Sequence, residues 1–313
     1  MATGSKTVIY AALAGNAAIA VTKFAASLFT GSSAMLTEAI HSVVDTGNQG
    51  LLLLGMRKAK RPPDERFPYG YGKEIYFWSF VVAIMIFAVG AGVSIYEGIK
   101  HLQHPREITD PIVNYVVLAI AMVFEGAAWI FAWKGLRETK GEMGYFEAVR
   151  HGKDPTMFVV LFEDSAAMLG LIVAFVGIAL GQITGSLYFD GAASVLIGLI
   201  LATVAAWLAY ETHGLLIGEA ASERVREQLR QLIVTHPGIR QLSELLTMHM
   251  GPDSILVTAS VDYEDGWSST QVEASVAELN GKIREGVPGV RRVFIEVEAP
   301  AAHRKQVDAS RES

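Results

Sequence analysis

Six apolar segments dominate the first part of the chain: Val8 to Phe29, Ala34 to Met56, Phe77 to Tyr96, Ile112 to Trp133, Met157 to Leu180 and Leu187 to Tyr210. Each runs 20 to 24 residues, and about 20 residues of helix cross a ~30 Å hydrocarbon core. A segment in lipid must pair its own amides and carbonyls, so helix is the form open to segments of this kind. The hydrophobic share of 51% is high for two soluble domains and agrees with a membrane protein. The first segment follows the short start "MATGSK", is too long for a signal-peptide core and has no persuasive cleavage site behind it, so it is read as a retained span.

Charge in the connections orients the spans. "RKAKRPPDERFPYGYGKE", between the second and third segments, carries six Lys and Arg; the connection between the fourth and fifth adds Lys134, Arg137, Lys140, Arg150 and Lys153. The alternate connections "TGSS" and "GQITGS" carry none, and "HLQHPREITD" carries only Arg106. Cations favour the cytoplasmic side, which predicts both termini in the cytoplasm and, for a bacterial chain, an inner-membrane location.

Composition shifts after Tyr210. Ser222 is placed to cap a helix with Val225, Leu229, Leu232 and Ile233 on one face, and "HPG" stops it. Two runs joined by "GPDS" read as a hairpin, with Ile255, Val257, Ala259, Val261 and Tyr263 alternating along the second strand. A helix bearing Val272, Val276, Leu279 and Ile283 and the strand "VRRVFIEVE" complete the order αββαβ. The expected fold is therefore an all-α membrane domain of six transmembrane helices over 1–213, a small cytoplasmic α+β domain over 214–300 and a disordered tail over 301–313.

The second span breaks the apolar pattern. Glu38, His41, Asp45 and Asn48 fall in one narrow sector at about 100° per residue. A charge at mid-bilayer costs roughly 2.5–3.5 kcal/mol on insertion scales, so such a stripe faces protein, water or an ion. His41 and Asp45 at i, i+4 bring an imidazole nitrogen and a carboxylate oxygen one turn apart, within reach of one cation. The chain has no cysteine, so a metal here meets nitrogen and oxygen ligands. The fifth span carries the adjacent acids Glu163 and Asp164. About 100° apart on the helix, they point to different neighbours; Asp164 is taken as the one facing the second span. Ala166 and Gly170 beside it form a small-xxx-small pair suited to close helix approach. Lys23 on the first span is placed to neutralise an acid such as Glu38, and Glu125 on the fourth to do the same or to line a water path. Asp190 reads as interfacial, and His101, His104 and His151 as solvated loop residues.

With these residues in view, "GSSAMLTEAIHSVVDTGNQ", "FPYGYGKEIYFW", "EDSAAMLG" and the αββαβ domain resemble the cation diffusion facilitators, divalent-metal/proton antiporters. The "EDSAA" form resembles the subgroup that includes the animal mitochondrial zinc transporter. The resemblance implies a homodimer whose protomers each bind zinc or a similar ion between spans two and five and alternate access by rocking helices. It carries the HxxxD of span two onto His41 and Asp45 and the span-five aspartate onto Asp164. The position one turn before Asp164, His or Asp in the family, is Val160 here, which leaves Glu163, Asn48 or water as the fourth ligand. Phe67 and Tyr71 stand in the loop that often carries histidine, and Ser243, Ser260, Glu296 and Glu298 stand where some relatives have a His-rich site, so neither secondary site is expected.

The ligand set suits zinc and also manganese, iron(II), cobalt or nickel. Ligands bind metal only when deprotonated, so protons compete, and His41, with an ordinary pKa near ~6.5, is the natural coupling group. The expectation is a transporter rather than an enzyme, with no prosthetic group and no nucleic-acid partner. A membrane metalloenzyme would need a general base and cleft for which no HExxH-type signature is present, and a metal sensor would need a better ligand set in the soluble domain.

Overall fold

A computed structural model of the chain describes residues 3–140, 155–301, 303, 304 and 309. Arg150, His151 and Lys153 of the basic connection, and most of the tail beyond 301, lie outside the described residues.

Each apolar segment forms a helix longer than the segment itself. They are α1 (Thr3–Thr30), α2 (Ser33–Ala59), α3 (Glu74–Gln103, with a π-helical stretch at Ile86–Ala91), α4 (Pro111–Lys140), α5 (Pro155–Thr184) and α6 (Tyr188–Ile217). Prolines open α4 and α5 at the first helical position, where a missing N–H costs nothing. Length and composition suffice for crossing a membrane in four of them: α3, Pro111–Lys134 of α4, Phe158–Thr184 of α5, and α6. Six such spans were expected. α2 falls short among the described residues because Glu38, His41, Asp45, Asn48 and Gln49 dilute its apolar run.

The chain divides into two compact units. The first comprises residues 1–57 and 75–213, and the second 58–74 and 214–313. Within the first, α3 and α6 approach backbone to backbone: a Cβ added at Gly98 would lie 2.9 Å from the Gly191 carbonyl and closer still to Val195. Helices meet this closely where small residues remove the side-chain layer.

In the second unit, α7 (Glu223–Val234) and α8 (Ser269–Gly286) pack on a sheet of β1 (Ile239–Gly251), β2 (Ser254–Tyr263) and β3 (Val290–Val297). β2 is central, antiparallel to β1 and parallel to β3, with α8 as the crossover. The alternation along β2 holds: Ile255, Val257, Ala259, Val261 and Tyr263 are all buried, over Leu229, Ile233, Leu279 and Ile283 of the helices. Ser222 stands at the N-cap of α7 without a side-chain capping bond, whereas Ser268 and Gln271 form a full capping box on α8. Residues 58–74, a membrane-domain loop on sequence grounds, pack with this unit. There Asp64 accepts from the Tyr71 hydroxyl at 2.5 Å and the Phe67 amide at 2.7 Å, and Lys73 donates to the Leu216 carbonyl at 3.4 Å. The Tyr71 hydroxyl, followed by the Phe67 amide, holds the Asp64 carboxyl below the usual carboxylate range. At the end of this unit the His303 amide bonds to the Ala299 carbonyl at 3.2 Å.

Candidate metal site

All four members of the polar stripe on α2 are buried: Glu38 at 0%, His41 at 1%, Asp45 at 8% and Asn48 at 1% exposure. The helical period that aligned them also turns them away from the lipid-facing side, where Val43, Leu53 and Leu54 are exposed. His41 Nδ1 lies 3.3 Å from Asp45 Oδ1, one turn along the same helix. His41 Nε2 has no hydrogen-bond partner among the described residues, and His41 Nδ1 and Asp45 Oδ1 have none besides each other. Buried polar atoms are normally paired, so an imidazole and a carboxylate one turn apart that find so little besides each other mark a place able to take a further partner.

Across from them stands α5. Asn48 Nδ2 donates to Glu163 Oε1 at 2.7 Å, joining residues 115 apart in sequence. Glu163 is buried, and its carboxyl is also within hydrogen-bond reach of Asp45. Asp164 is half-buried, and no hydrogen bond or ion pair ties it to α2 among the described residues. The acid that meets the stripe here is Glu163, while Asp164 lies near the charges of Glu163 and Glu125. The latter reaches the site from α4, which is tied to α5 where the Trp129 indole donates to Ser165 Oγ at 2.9 Å.

Lys23 on α1 is fully buried. Its ammonium donates to Glu38 Oε2 at 3.2 Å and to Ser42 Oγ at 2.8 Å. The other Glu38 oxygen rests against Gly170 of α5, where a Cβ would overlap it. His41, Asp45, Asn48 and Glu163 thus come together between α2 and α5, with Lys23, Glu38 and Glu125 around them. In this conformation no three His, Asp or Glu side chains among the described residues converge on a point that holds a metal ion.

Two residues that read as peripheral are structural centres. Asp190, at the first turn of α6, is 4% exposed and accepts from Ser32 Oγ at 2.6 Å and the Ser33 amide at 2.6 Å, capping α2 from another helix. His101 is not a solvated loop residue but buried on α3, with Nδ1 3.8 Å from Asp190 Oδ2. The adjacent serines at the start of α2, Ser32 and Ser33, and an acid opening α6 were the available signal. In the second unit, Ser260 donates to Glu296 at 3.4 Å and His303 Nδ1 lies 2.6 Å from Glu298 Oε1.

Comparison with known proteins decides the family. The description "Cation efflux transmembrane domain" matches residues 9–217. The chain belongs to the cation efflux family. It is 36% identical over 245 residues to the human "Proton-coupled zinc antiporter SLC30A9, mitochondrial", covering 77% of this chain and 43% of that protein. Similarity to "Metal tolerance protein C4" of Arabidopsis thaliana is 29% over 243 residues, 77% of this chain and 53% of that one. With "Cation-efflux pump FieF" of Escherichia coli it is 24% over 290 residues, 90% and 91% of the two chains. The chain therefore spans about half or less of the length of the first two relatives and nearly all of the third. The match makes residues 9–217 a cation efflux transmembrane domain.

Proposed function

We propose that this protein exports a divalent cation, zinc foremost, in exchange for protons, by alternating access to a site between α2 and α5. The ion is the cargo, held by His41 and Asp45 of α2 with Glu163 and Asp164 of α5. The carrying observation is the buried His41–Asp45 pair, with His41 Nε2 left without a partner among the described residues, facing a second acid on α5. Imidazole and carboxylate together suit zinc, and also manganese, iron(II), cobalt and nickel, so the donor set leaves the choice among them to geometry. The human relative, by its name a proton-coupled zinc antiporter, favours zinc.

Exchange follows from ligand chemistry. Each lone pair that binds metal also binds a proton, so loading releases protons and protonation expels the ion. In this reading α1 to α6 all span the membrane, including the polar α2, whose stripe never meets lipid. Both termini are cytoplasmic, two copies associate as a homodimer, and the chain acts in a bacterial plasma membrane as a transporter with no enzymatic step or prosthetic group.

Purified protein in liposomes with a trapped metal-sensitive dye tests this, with zinc, manganese, iron, cobalt and nickel run side by side under an imposed pH gradient. Zinc flux should rise with the gradient and fall at least about 100-fold in Asp45→Ala, the loss of one ligand in a four-ligand site. Wild-type flux in Asp45→Ala and Glu163→Ala would overturn the assignment.

A further inference from the structure

An ammonium group with no exposure inside a helical bundle is rare and is held only by close partners. Lys23 has two, and both belong to α2: Glu38 at 3.2 Å and Ser42 at 2.8 Å. Ser42 follows His41 directly, so the cation touches the turn that carries the imidazole. Glu38, on its far side, abuts α5 at Gly170 with its second oxygen unpaired. The pair therefore sits where α1, α2 and α5 meet, about one helical turn from His41 and two from Asp45. A simple clasp would need one acid for one cation. Here the charge of Lys23 is felt not only at Glu38 but also at His41, Asp45 and Glu125.

We infer that Lys23 is a tethered counter-cation that sets the ion affinity of the α2–α5 site. Its fixed charge repels a bound dication enough for the ion to leave and steadies the acids once it has gone. The inference deepens the proposed function and rests on it. In a partly buried site a unit charge within roughly 10 Å of a dication changes affinity by at least about tenfold.

The test uses full-length protein, with zinc binding measured by titration calorimetry in detergent and zinc flux in liposomes. Lys23→Met should bind zinc at least about tenfold tighter, with a lower half-saturating concentration and a lower maximal flux. Lys23→Arg, which keeps the charge, should stay within about threefold of wild type in affinity. Glu38→Gln leaves Lys23 unopposed and should bind at least about tenfold more weakly. The double variant Lys23→Met/Glu38→Gln restores the net charge and should return toward wild type. If Lys23→Met fails to fold, the Glu38→Gln and double-variant affinities decide the matter. Unchanged or weaker zinc affinity in Lys23→Met, or an unchanged one in Glu38→Gln, would overturn the role and leave the transport reading intact. Zinc binding by the wild type without flux would remove the transport reading and leave the affinity comparison standing, and no zinc binding would remove both.

Discussion

Two buried histidines separate the two units of this molecule. His236, in the C-terminal unit, is 5% exposed and holds Ser275 Oγ at 3.0 Å through Nε2, with the Tyr263 hydroxyl donating to the same serine at 3.0 Å, while its Nδ1 has no partner among the described residues. His41, in the membrane unit, is 1% exposed; its Nε2 has no partner among the described residues, and its Nδ1 has only the Asp45 carboxylate, 3.3 Å away on the same helix. One imidazole is built into a core; the other is kept available in a medium where no water compensates the loss. Burial alone therefore says nothing about purpose, and the state of the hydrogen bonds does.

The sharpest way to break this contrast is to truncate both histidines. His41→Ala should reduce zinc flux by at least about 100-fold and leave the melting temperature unchanged or raised, because unpaired polar atoms are removed. His236→Ala should keep flux and lower stability by about 1–3 kcal/mol, read by denaturant titration. If the two variants behave alike, the contrast fails. Next in size is Leu279→Ala, a fully buried side chain over β2. It should cost about 2–5 kcal/mol, appearing in the far-UV melt of the C-terminal unit. Gly170→Ala comes third: a Cβ would overlap Glu38 Oε1, and displacing α5 from the stripe should cost about 1–3 kcal/mol and lower flux. Flux and melting temperature both at wild-type values would show that this approach is looser than described.

The smallest effect lies in the 58–74 segment. The Asp64 carboxyl is depressed by Tyr71 and by the Phe67 amide, so its contribution is complete above the ordinary carboxylate pKa of ~3.9 and is lost as pH falls through the lower folded value. Hydrogen exchange at Phe67 should accelerate below about pH 4 in wild type and become independent of pH there in Asp64→Asn, after correction for intrinsic rates.

The stripe on α2 was legible because helical periodicity is local: Glu38, His41, Asp45 and Asn48 align whatever the rest of the chain does. The αββαβ order was legible for the same reason, since the alternation of Ile255, Val257, Ala259 and Val261 needs only one strand to read. What lay beyond the pattern depends on neighbours distant in sequence. Glu163 and Asp164 are indistinguishable by spacing, and the rotation of α5 about its axis, locked by Gly170 against Glu38, brings Glu163 to Asn48. Asp190 and His101 looked peripheral because each stands at a helix end, yet packing of α6 beside α2 and α3 turned both inward. Nor did the segment 58–74 show in its composition that it would pack with a domain beginning at Gly214.

By itself, then, the order of residues determined that α2 would carry an imidazole and two carboxylates on one face of an apolar helix, with no thiolate to join them, and that a two-layer domain would follow. Tertiary structure alone decided which acid faces that stripe, which cation is buried beside it and which atoms are left unpaired. Secondary structure answers to neighbours within a few residues, whereas a site between helices is set by their rotation and separation, which no single helix encodes.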